Sequence, residues 1–382
     1  MITLPGSPVQ LHGAAWLEET PEGLLPHRLP AWARAQFPDD LVAHTDTQGA
    51  GVRLCFSGAG ERFVLHLAVA RNRVRPGPPP DRADFDVLVD GELVFSGPAG
   101  EGGVAEIDRI AGTVETRVGE GTTLEVGLPP NPSGAPRQVE IWFPYAETVW
   151  IRGLESDAGI DDPAPPPPTR WVHYGSSISQ GANAATPTGA WPVVAARLAD
   201  FDLVNLGMSG QAVLDPFVAR AIRDQRADVI SLKVGINVLN GNAYGRRMFG
   251  PLLHGFLDTI RDGHPTTPLL VASPLFAPIG EQRPGPTSLD PQAPVRLFRS
   301  TGRVEDLSAG ALTLEAMREI TAEVVRRRRD AGDAALHYVD GLDWYGPRDW
   351  ARMPMADALH PDPLAHEMIG GRAAEALRGV LA

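Results

Sequence analysis

Hydrophobic positions along the first 160 residues come in short runs, several of them alternating apolar with polar. A period of two puts one set of side chains on a buried sheet face and the other in water. The runs predict strands at Gly51–Phe56, Phe63–Ala70, Phe85–Val89, Leu93–Ser96, Thr123–Leu128 and Val139–Phe143. In FDVLVDGELVFS the pair Asp90-Gly91 separates two such runs. That is a strong hairpin signal, because the tight two-residue turn needs positive φ at both positions. No long helical period occurs between Gly49 and Gly153. Short strands broken by Gly/Pro turns predict an all-β sandwich or jelly roll.

The stretch DDPAPPPPTR, residues 161–170, ends this rhythm. Four consecutive prolines make a stiff, extended spacer. The division expected is a β-sandwich accessory domain over 1–160, a Pro-rich linker over 161–170 and a second domain over 171–382. A proline-rich surface loop inside one domain is the alternative. After residue 170 the pattern becomes strand, loop, helix. Buried apolar runs lie at Trp171–Tyr174, Leu203–Asn205, Val229–Val234, Leu269–Ser273 and Leu336–Val339, with helical stretches such as Gly189–Ala199 and Leu314–Arg329 between them. This predicts an α/β domain with a parallel sheet covered by helices. Such sheets bind ligands beyond the carboxyl ends of their strands.

Composition narrows the function classes. A chain of 382 residues with 43% hydrophobic and 21% charged residues is an ordinary globular chain of two domains. A net charge of −13 argues against nucleic-acid partners and against an anionic membrane surface. Lys233 is the only lysine, read as a compositional bias of the genome with little mechanistic meaning. Cys55 is the only cysteine, so no intrachain disulfide forms, and its strand-like setting predicts a small core residue. The opening MITLPGSPVQLHG lacks the basic start and apolar stretch of a signal peptide, and no segment approaches the ~18 apolar residues of a membrane span. A soluble, cytoplasmic protein is expected.

The chemistry-bearing residues follow the strand ends. WVHYGSSISQG places Ser176 and Ser177 after the first strand. NLGMSGQ, with Asn205, Gly207 and Gly210, follows the second, and GINVLNG, with Asn237, the third. DALHPD, with Asp357 and His360, comes after the fifth. Together they fit acyl transfer. A serine hydroxyl is a weak nucleophile until a base takes its proton, and His360 is suited to that task. Asp357, three residues earlier, can orient the imidazole and stabilise its protonated form. The backbone N–H of Gly210, the amide of Asn237 and the N–H of the nucleophile are the candidate oxyanion donors.

These blocks resemble the SGNH, or GDSL, hydrolase family, whose first block reads roughly G-D-S-x-[ST]. Here it is Gly175-Ser176-Ser177-Ile178-Ser179, which aligns Ser177 with the nucleophile and Ser176 with the usual aspartate. Gly210 matches the oxyanion glycine. Gly235-Ile236-Asn237-Val238 matches G-x-N-D with valine for aspartate, and Asp357 to His360 matches D-x-x-H. The resemblance covers residues 171–382. It implies a flavodoxin-like sheet of order 2-1-3-4-5 and a serine acyl-enzyme mechanism without metal or cofactor. Substrates across the family are esters of many kinds, including acetylated sugars, lipids and aryl esters, and some relatives transfer the acyl group to an alcohol. A β-sandwich joined to such a domain is also familiar in carbohydrate esterases, where it looks like a carbohydrate-binding module. Similar two-domain proteins are acyl-CoA-dependent tailoring enzymes of aromatic polyketides.

The leading expectation is therefore an esterase that cleaves an ester of a small molecule or sugar. An O-acyltransferase is the second, with acyl-CoA as co-substrate and a polyketide or other hydroxylated natural product as acceptor. A non-catalytic carbohydrate-binding protein is the third. Ser176 remains a rival nucleophile, His173 and His366 rival bases, and Asp340 and Asp343 rival orienting carboxylates. Trp344, Tyr345 and Trp350, just before the Asp/His pair, are candidate pocket residues, with core packing the competing role. The Pro/Gly-rich stretch 277–308 has the length of a functional loop, often a lid. Arg326–Arg329 end a helix, where cations are favoured; an acidic substrate group is the alternative.

Overall fold

The computed structural model describes residues 8–75 and 82–382. Residues 1–7, part of the segment read above for a signal peptide, lie outside them. The chain divides into two compact units: Met1–Pro166 with Thr186–Thr188, and Pro167–Ala185 with Gly189–Ala382.

The first unit is built from two sheets. One runs Gln10–His12, Arg53–Gly58, Arg137–Trp142, Asp84–Val89 and Glu92–Pro98, and Ile160–Asp161 also pairs with Arg53–Gly58. The other runs Trp16–Thr20, Gly23–His27, Glu147–Ser156, Arg62–Val74, Gly103–Asp108 and Thr113–Arg117, and Thr122–Gly127 also pairs with Arg62–Val74. Pairing is antiparallel except between Arg62–Val74 and Gly103–Asp108. Alternate side chains of both sheets share one core, with Leu54, Phe56, Phe85, Val87 and Ile141 from the first and Phe63, Leu65, Leu67, Val69 and Val149 from the second. The Asp90-Gly91 turn has φ of +49° and +83° and joins Val89 directly to its partner Glu92, as a two-residue hairpin requires. A bulge between Ile151 and Gly153 shifts the side-chain phase by one, so Ile151 and Leu154 both face the core.

The second unit contains a five-stranded parallel sheet. Its strands are β1 (Thr169–Gly175), β2 (Phe201–Gly207), β3 (Val229–Lys233), β4 (Leu269–Ala272) and β5 (Leu336–Val339), ordered 2-1-3-4-5. Helices cover both faces, which is why these strands read as continuous apolar runs. Odd-numbered β1 residues face one layer: Trp171 and His173 meet Trp191 of the helix Trp191–Ala199, which packs on the helix Pro363–Leu381. Even-numbered ones face the other, where Tyr174 stacks on Phe256 of the helix Arg246–Gly263. Gly175, Gly207 and Lys233 lie side by side at the carboxyl ends of β1, β2 and β3, so the loops that follow leave from one rim. No helix among the described residues is long and apolar enough to cross a membrane.

Candidate active site

The chain leaves β1 at Gly175 and enters a single turn of helix, Ser177–Gln180. Ser176 is its N-cap: its Oγ accepts from the Ile178 N–H at 3.3 Å, and the side chain is fully buried. Ser177, one position on, is also buried, and its Oγ lies 2.9 Å from His360 Nε2. His360 Nδ1 lies 2.7 Å from Asp357 Oδ2. Residues 183 positions apart in sequence are thus joined in one hydrogen-bonded chain, Ser177–His360–Asp357.

Asp357 is held as an ionised acceptor. Its Oδ1 accepts the N–H groups of Leu359 and His360 at 3.0 and 2.8 Å. Burial acts to raise its pKa, but the His360 hydrogen bond, the His360 charge and these two N–H groups outweigh it and bring the value down to about 2. A carboxylate hydrogen-bonded to Nδ1 fixes the tautomer that leaves Nε2 free to accept a proton from the serine hydroxyl.

The helix carrying Ser177 is pinned from below. Asn205 Nδ2 donates to the Ser179 carbonyl at 2.9 Å, while its Oδ1 accepts the Gly207 N–H at 2.8 Å. Gly207 must be glycine, because a Cβ there would sit 2.3 Å from the Gln180 backbone nitrogen. His173, a rival base, is buried between Ser231 Oγ at 2.7 Å and Ser179 Oγ at 2.8 Å. Burial and the neighbouring Lys233 charge lower its pKa to about 3 despite its bond to Ser231. His366, the other, braces backbone: Nδ1 accepts the Trp191 N–H at 3.2 Å and Nε2 donates to the Ala182 carbonyl at 3.0 Å. Asp340 caps the helix Gly341–Trp344 through the Leu342 N–H, and Asp343 is exposed. None of these rivals joins the Ser177–His360–Asp357 chain.

The oxyanion candidates occupy the loops after β2 and β3. Gly210 has φ +75° and is the third residue of a turn closed by the Gln211 N–H donating to the Met208 carbonyl at 3.0 Å. Positive φ at that position is the type II requirement for glycine. Asn237 is buried in the helix Ile236–Gly241. Its Oδ1 accepts the Ala212 N–H at 3.1 Å, which ties the β3 loop to the β2 loop and turns the Nδ2 donors the other way.

Trp344 and Tyr345, the candidate pocket residues, occupy core positions. Trp344 is 2% exposed and packs on Trp191 with ring centroids 5.3 Å apart. Tyr345 is fully buried, its hydroxyl donating to the Met353 carbonyl at 2.5 Å. Their surfaces are used up in packing, the competing role weighed for these aromatics. Trp350 is half-buried and meets Phe276 edge-on at 6.1 Å. Arg326, Arg327 and Arg328 pair with Glu323, Asp330 and Asp258 on the surface, and Arg329 donates to the Leu336 carbonyl. The solvated ion-paired face is what the structure contains there.

Three residues at or near the site carried no readable signal. Phe298 comes from the 277–308 stretch, where Thr287–Leu289 and Phe298–Ser300 form a small hairpin. Its N–H donates to the Asp357 carbonyl at 2.9 Å, and its ring meets the His360 ring edge-on at 5.6 Å. Asn183 Nδ2 lies 3.3 Å from Asp357 Oδ2. Lys233, the only lysine, is 1% exposed, and burial lowers its pKa to about 7. Among the described residues no carboxylate pairs with it, and no group of three or more His, Cys, Asp or Glu side chains is placed to hold a metal ion.

Residues 169–277 match the GDSL-like lipase/acylhydrolase family. No curated protein matches the chain. Among solved structures, the chain is similar to the salicylyl-acyltransferase SsfX3 from a tetracycline biosynthetic pathway, at 26% identity over 100% of this chain and 96% of that one, with a TM-score of 0.79. It is also similar to a protein described as a GDSL-like lipase from Bacteroides ovatus, at 21% identity over 97% of this chain and 95% of that one, TM-score 0.69. A family two carbohydrate esterase from Cellvibrio japonicus is a third, at 14% identity over 100% and 97%, TM-score 0.61. The last two establish the fold, and each spans both units. The second unit thus carries a match to the GDSL-like lipase/acylhydrolase family over residues 169–277, and the whole chain has the two-part fold of these esterases and acyltransferases, a β-rich N-terminal domain followed by a helix-covered parallel sheet.

Proposed function

We propose that the protein cleaves an ester of a small molecule or sugar through an acyl-enzyme on Ser177, with His360 as base and Asp357 as its orienting carboxylate. The observation that carries this reading is the unbroken chain Ser177 Oγ to His360 Nε2 at 2.9 Å and His360 Nδ1 to Asp357 Oδ2 at 2.7 Å. Ser177 Oγ attacks the ester carbonyl carbon while its proton passes to His360 Nε2. The carbonyl oxygen becomes an oxyanion, which the N–H groups of Ser177 and Gly210 and the Asn237 amide are proposed to receive; losing one such donor costs about 3 kcal/mol of transition-state stabilisation. The carbon–oxygen bond to the leaving group then breaks, and that group takes the proton from His360. A second hydroxyl, from water or an alcohol, gives its proton to His360 Nε2 and attacks the acyl carbon; the bond from that carbon to Ser177 Oγ then breaks, and Oγ takes the proton back from His360.

In this reading no metal or organic cofactor takes part. Cytoplasmic action belongs to the same reading, supported by a chain whose one cysteine forms no internal disulfide. One observation favours a second reading, in which an alcohol replaces water and the donor is an acyl-CoA: the similarity to the salicylyl-acyltransferase runs the full length of this chain.

The test is p-nitrophenolate release from short acyl esters by wild type and Ser177→Ala, with and without added alcohols, followed by analysis of the acyl products. Release that needs Ser177 and yields free acid at every alcohol concentration supports the esterase. New esters, formed as alcohols accelerate release, support the transferase. Equal release by both proteins removes the Ser177 mechanism.

A further inference from the structure

The turn that follows the nucleophile helix reaches back to the orienting carboxylate. Asn183 lies six positions after Ser177, in GANAAT, with φ +68° and a half-buried side chain. Its Nδ2 stands 3.3 Å from Asp357 Oδ2, the oxygen that also faces His360 Nδ1. An ionised carboxylate only accepts, which settles the amide orientation: the NH2 end faces Asp357. The two oxygens of Asp357 thus receive four donors, the Leu359 and His360 N–H groups on Oδ1 and His360 Nδ1–H and Asn183 Nδ2–H on Oδ2.

The backbone around Asn183 is held on both sides. The Ala182 N–H donates to the Ser177 carbonyl at 2.9 Å, and the Ala182 carbonyl accepts from His366 Nε2 at 3.0 Å. The Ala184 N–H donates to the Gly181 carbonyl at 2.8 Å. The left-handed conformation, which asparagine tolerates better than most residues, aims the short side chain at Asp357. The link therefore connects the loop of the nucleophile to the loop of the acid without passing through His360.

We infer that Asn183 is a positioning residue for the Asp357–His360 pair, setting the carboxylate's orientation and its hold on the imidazole while the nucleophile loop stays in register. The inference rests on the acyl-enzyme reading above.

Asn183→Gly and Asn183→Asp test it, since both accept positive φ and neither changes the loop length. Three readouts are taken: p-nitrophenyl acetate kinetics across pH, thermal melting, and titration of His360 by NMR on histidine-labelled protein, which needs no substrate. Asn183→Gly is expected to lower kcat about tenfold with KM within about twofold. Asn183→Asp sets a second carboxylate beside the pair; it favours the imidazolium, raises the His360 pKa by about one unit, moves the acid limb of kcat/KM to higher pH and lowers kcat about a hundredfold. Melting temperatures within about 2 °C of wild type separate this from a folding role. A His360 titration identical in all three proteins, or kcat within twofold of wild type in both variants, overturns the inference. Failure of the acyl-enzyme reading has a different signature: wild type and Ser177→Ala release p-nitrophenolate alike.

Discussion

Each unit contains a buried His–Asp pair, and in both the carboxylate meets the ring Nδ1 with one oxygen and accepts backbone N–H with the other. In the first unit His27 Nδ1 lies 2.6 Å from Asp46 Oδ2, and Asp46 Oδ1 accepts the Leu29 N–H at 2.6 Å. In the second, His360 Nδ1 lies 2.7 Å from Asp357 Oδ2, and Asp357 Oδ1 accepts two backbone N–H groups. What differs is the other ring nitrogen. His27 Nε2 meets a carboxylate, Glu18 Oε2 at 3.1 Å, and its ring lies flat on Trp16 with centroids 4.3 Å apart. His360 Nε2 meets a hydroxyl, Ser177 Oγ at 2.9 Å, at the rim of a parallel sheet. A His–Asp pair facing a second carboxylate is a staple, here between the strand Gly23–His27 and the end of the helix Asp40–Asp46. The same pair facing a serine is equipped to move a proton. The two pairs differ in the third partner and its place in the fold.

The largest effect that sharpens this contrast is on turnover. Ser177→Ala is expected to lower kcat by about 10⁴-fold or more, and Asp357→Asn by about 10⁴-fold through loss of the correct tautomer. His27→Gln should leave kcat within about twofold. Steady-state kinetics on the three variants decide it, and a comparable loss in His27→Gln breaks the contrast. Next in size is a stability effect with the opposite distribution. Asp46→Ala strands the buried His27 ring nitrogen and the Leu29 N–H and is expected to cost about 3 kcal/mol by denaturant unfolding, with kcat little changed in the folded protein.

Lys233 gives a smaller effect of the other sign. Burial lowers its pKa to about 7 from the ordinary 10.5. The unfolded chain therefore binds more protons than the folded one between those values, and stability climbs as pH rises from about 7 towards 10.5. Lys233→Met removes the buried ammonium and should stabilise the protein at neutral pH by about 1–4 kcal/mol while flattening that rise. Melting curves from pH 6 to 10 test it. The smallest effect belongs to Ser176, the N-cap. Ser176→Ala should cost about 1 kcal/mol of stability and keep substantial activity. Loss of turnover equal to that of Ser177→Ala, with the fold intact, would mean the two serines are misassigned.

Where the sequence was readable, the chemistry sits next to the feature that makes it readable. The five buried strands of the second unit announce themselves as apolar runs, and the residues after their ends fall at one rim because the strands are parallel. Ser177, Gly210, Asn237, Asp357 and His360 are the candidates read that way. Asn183 and Phe298 were not, because their contacts with Asp357 come from loop conformation, a positive φ in one case and a hairpin in the other, and neither leaves a period or a motif. Trp344 and Tyr345 were drawn toward the pocket by their nearness in sequence to His360, yet the short helix Gly341–Trp344 turns them into the core. In the first unit the bulge in Glu147–Ser156 broke the alternation that marks a strand. Gly103–Asp108 and Thr113–Arg117 are small, acidic or exposed runs that pair with each other and join the sheet through the pairing of Gly103–Asp108 with Arg62–Val74.

The most direct test of the account is the intact mass of the protein, quenched in acid during turnover of a slowly deacylated aryl ester, followed by peptide mapping. One added acyl group is expected, located on Ser177, absent from Ser177→Ala and present in His27→Gln. Turnover with no adduct on Ser177, or an adduct that persists on another residue in Ser177→Ala, would contradict it.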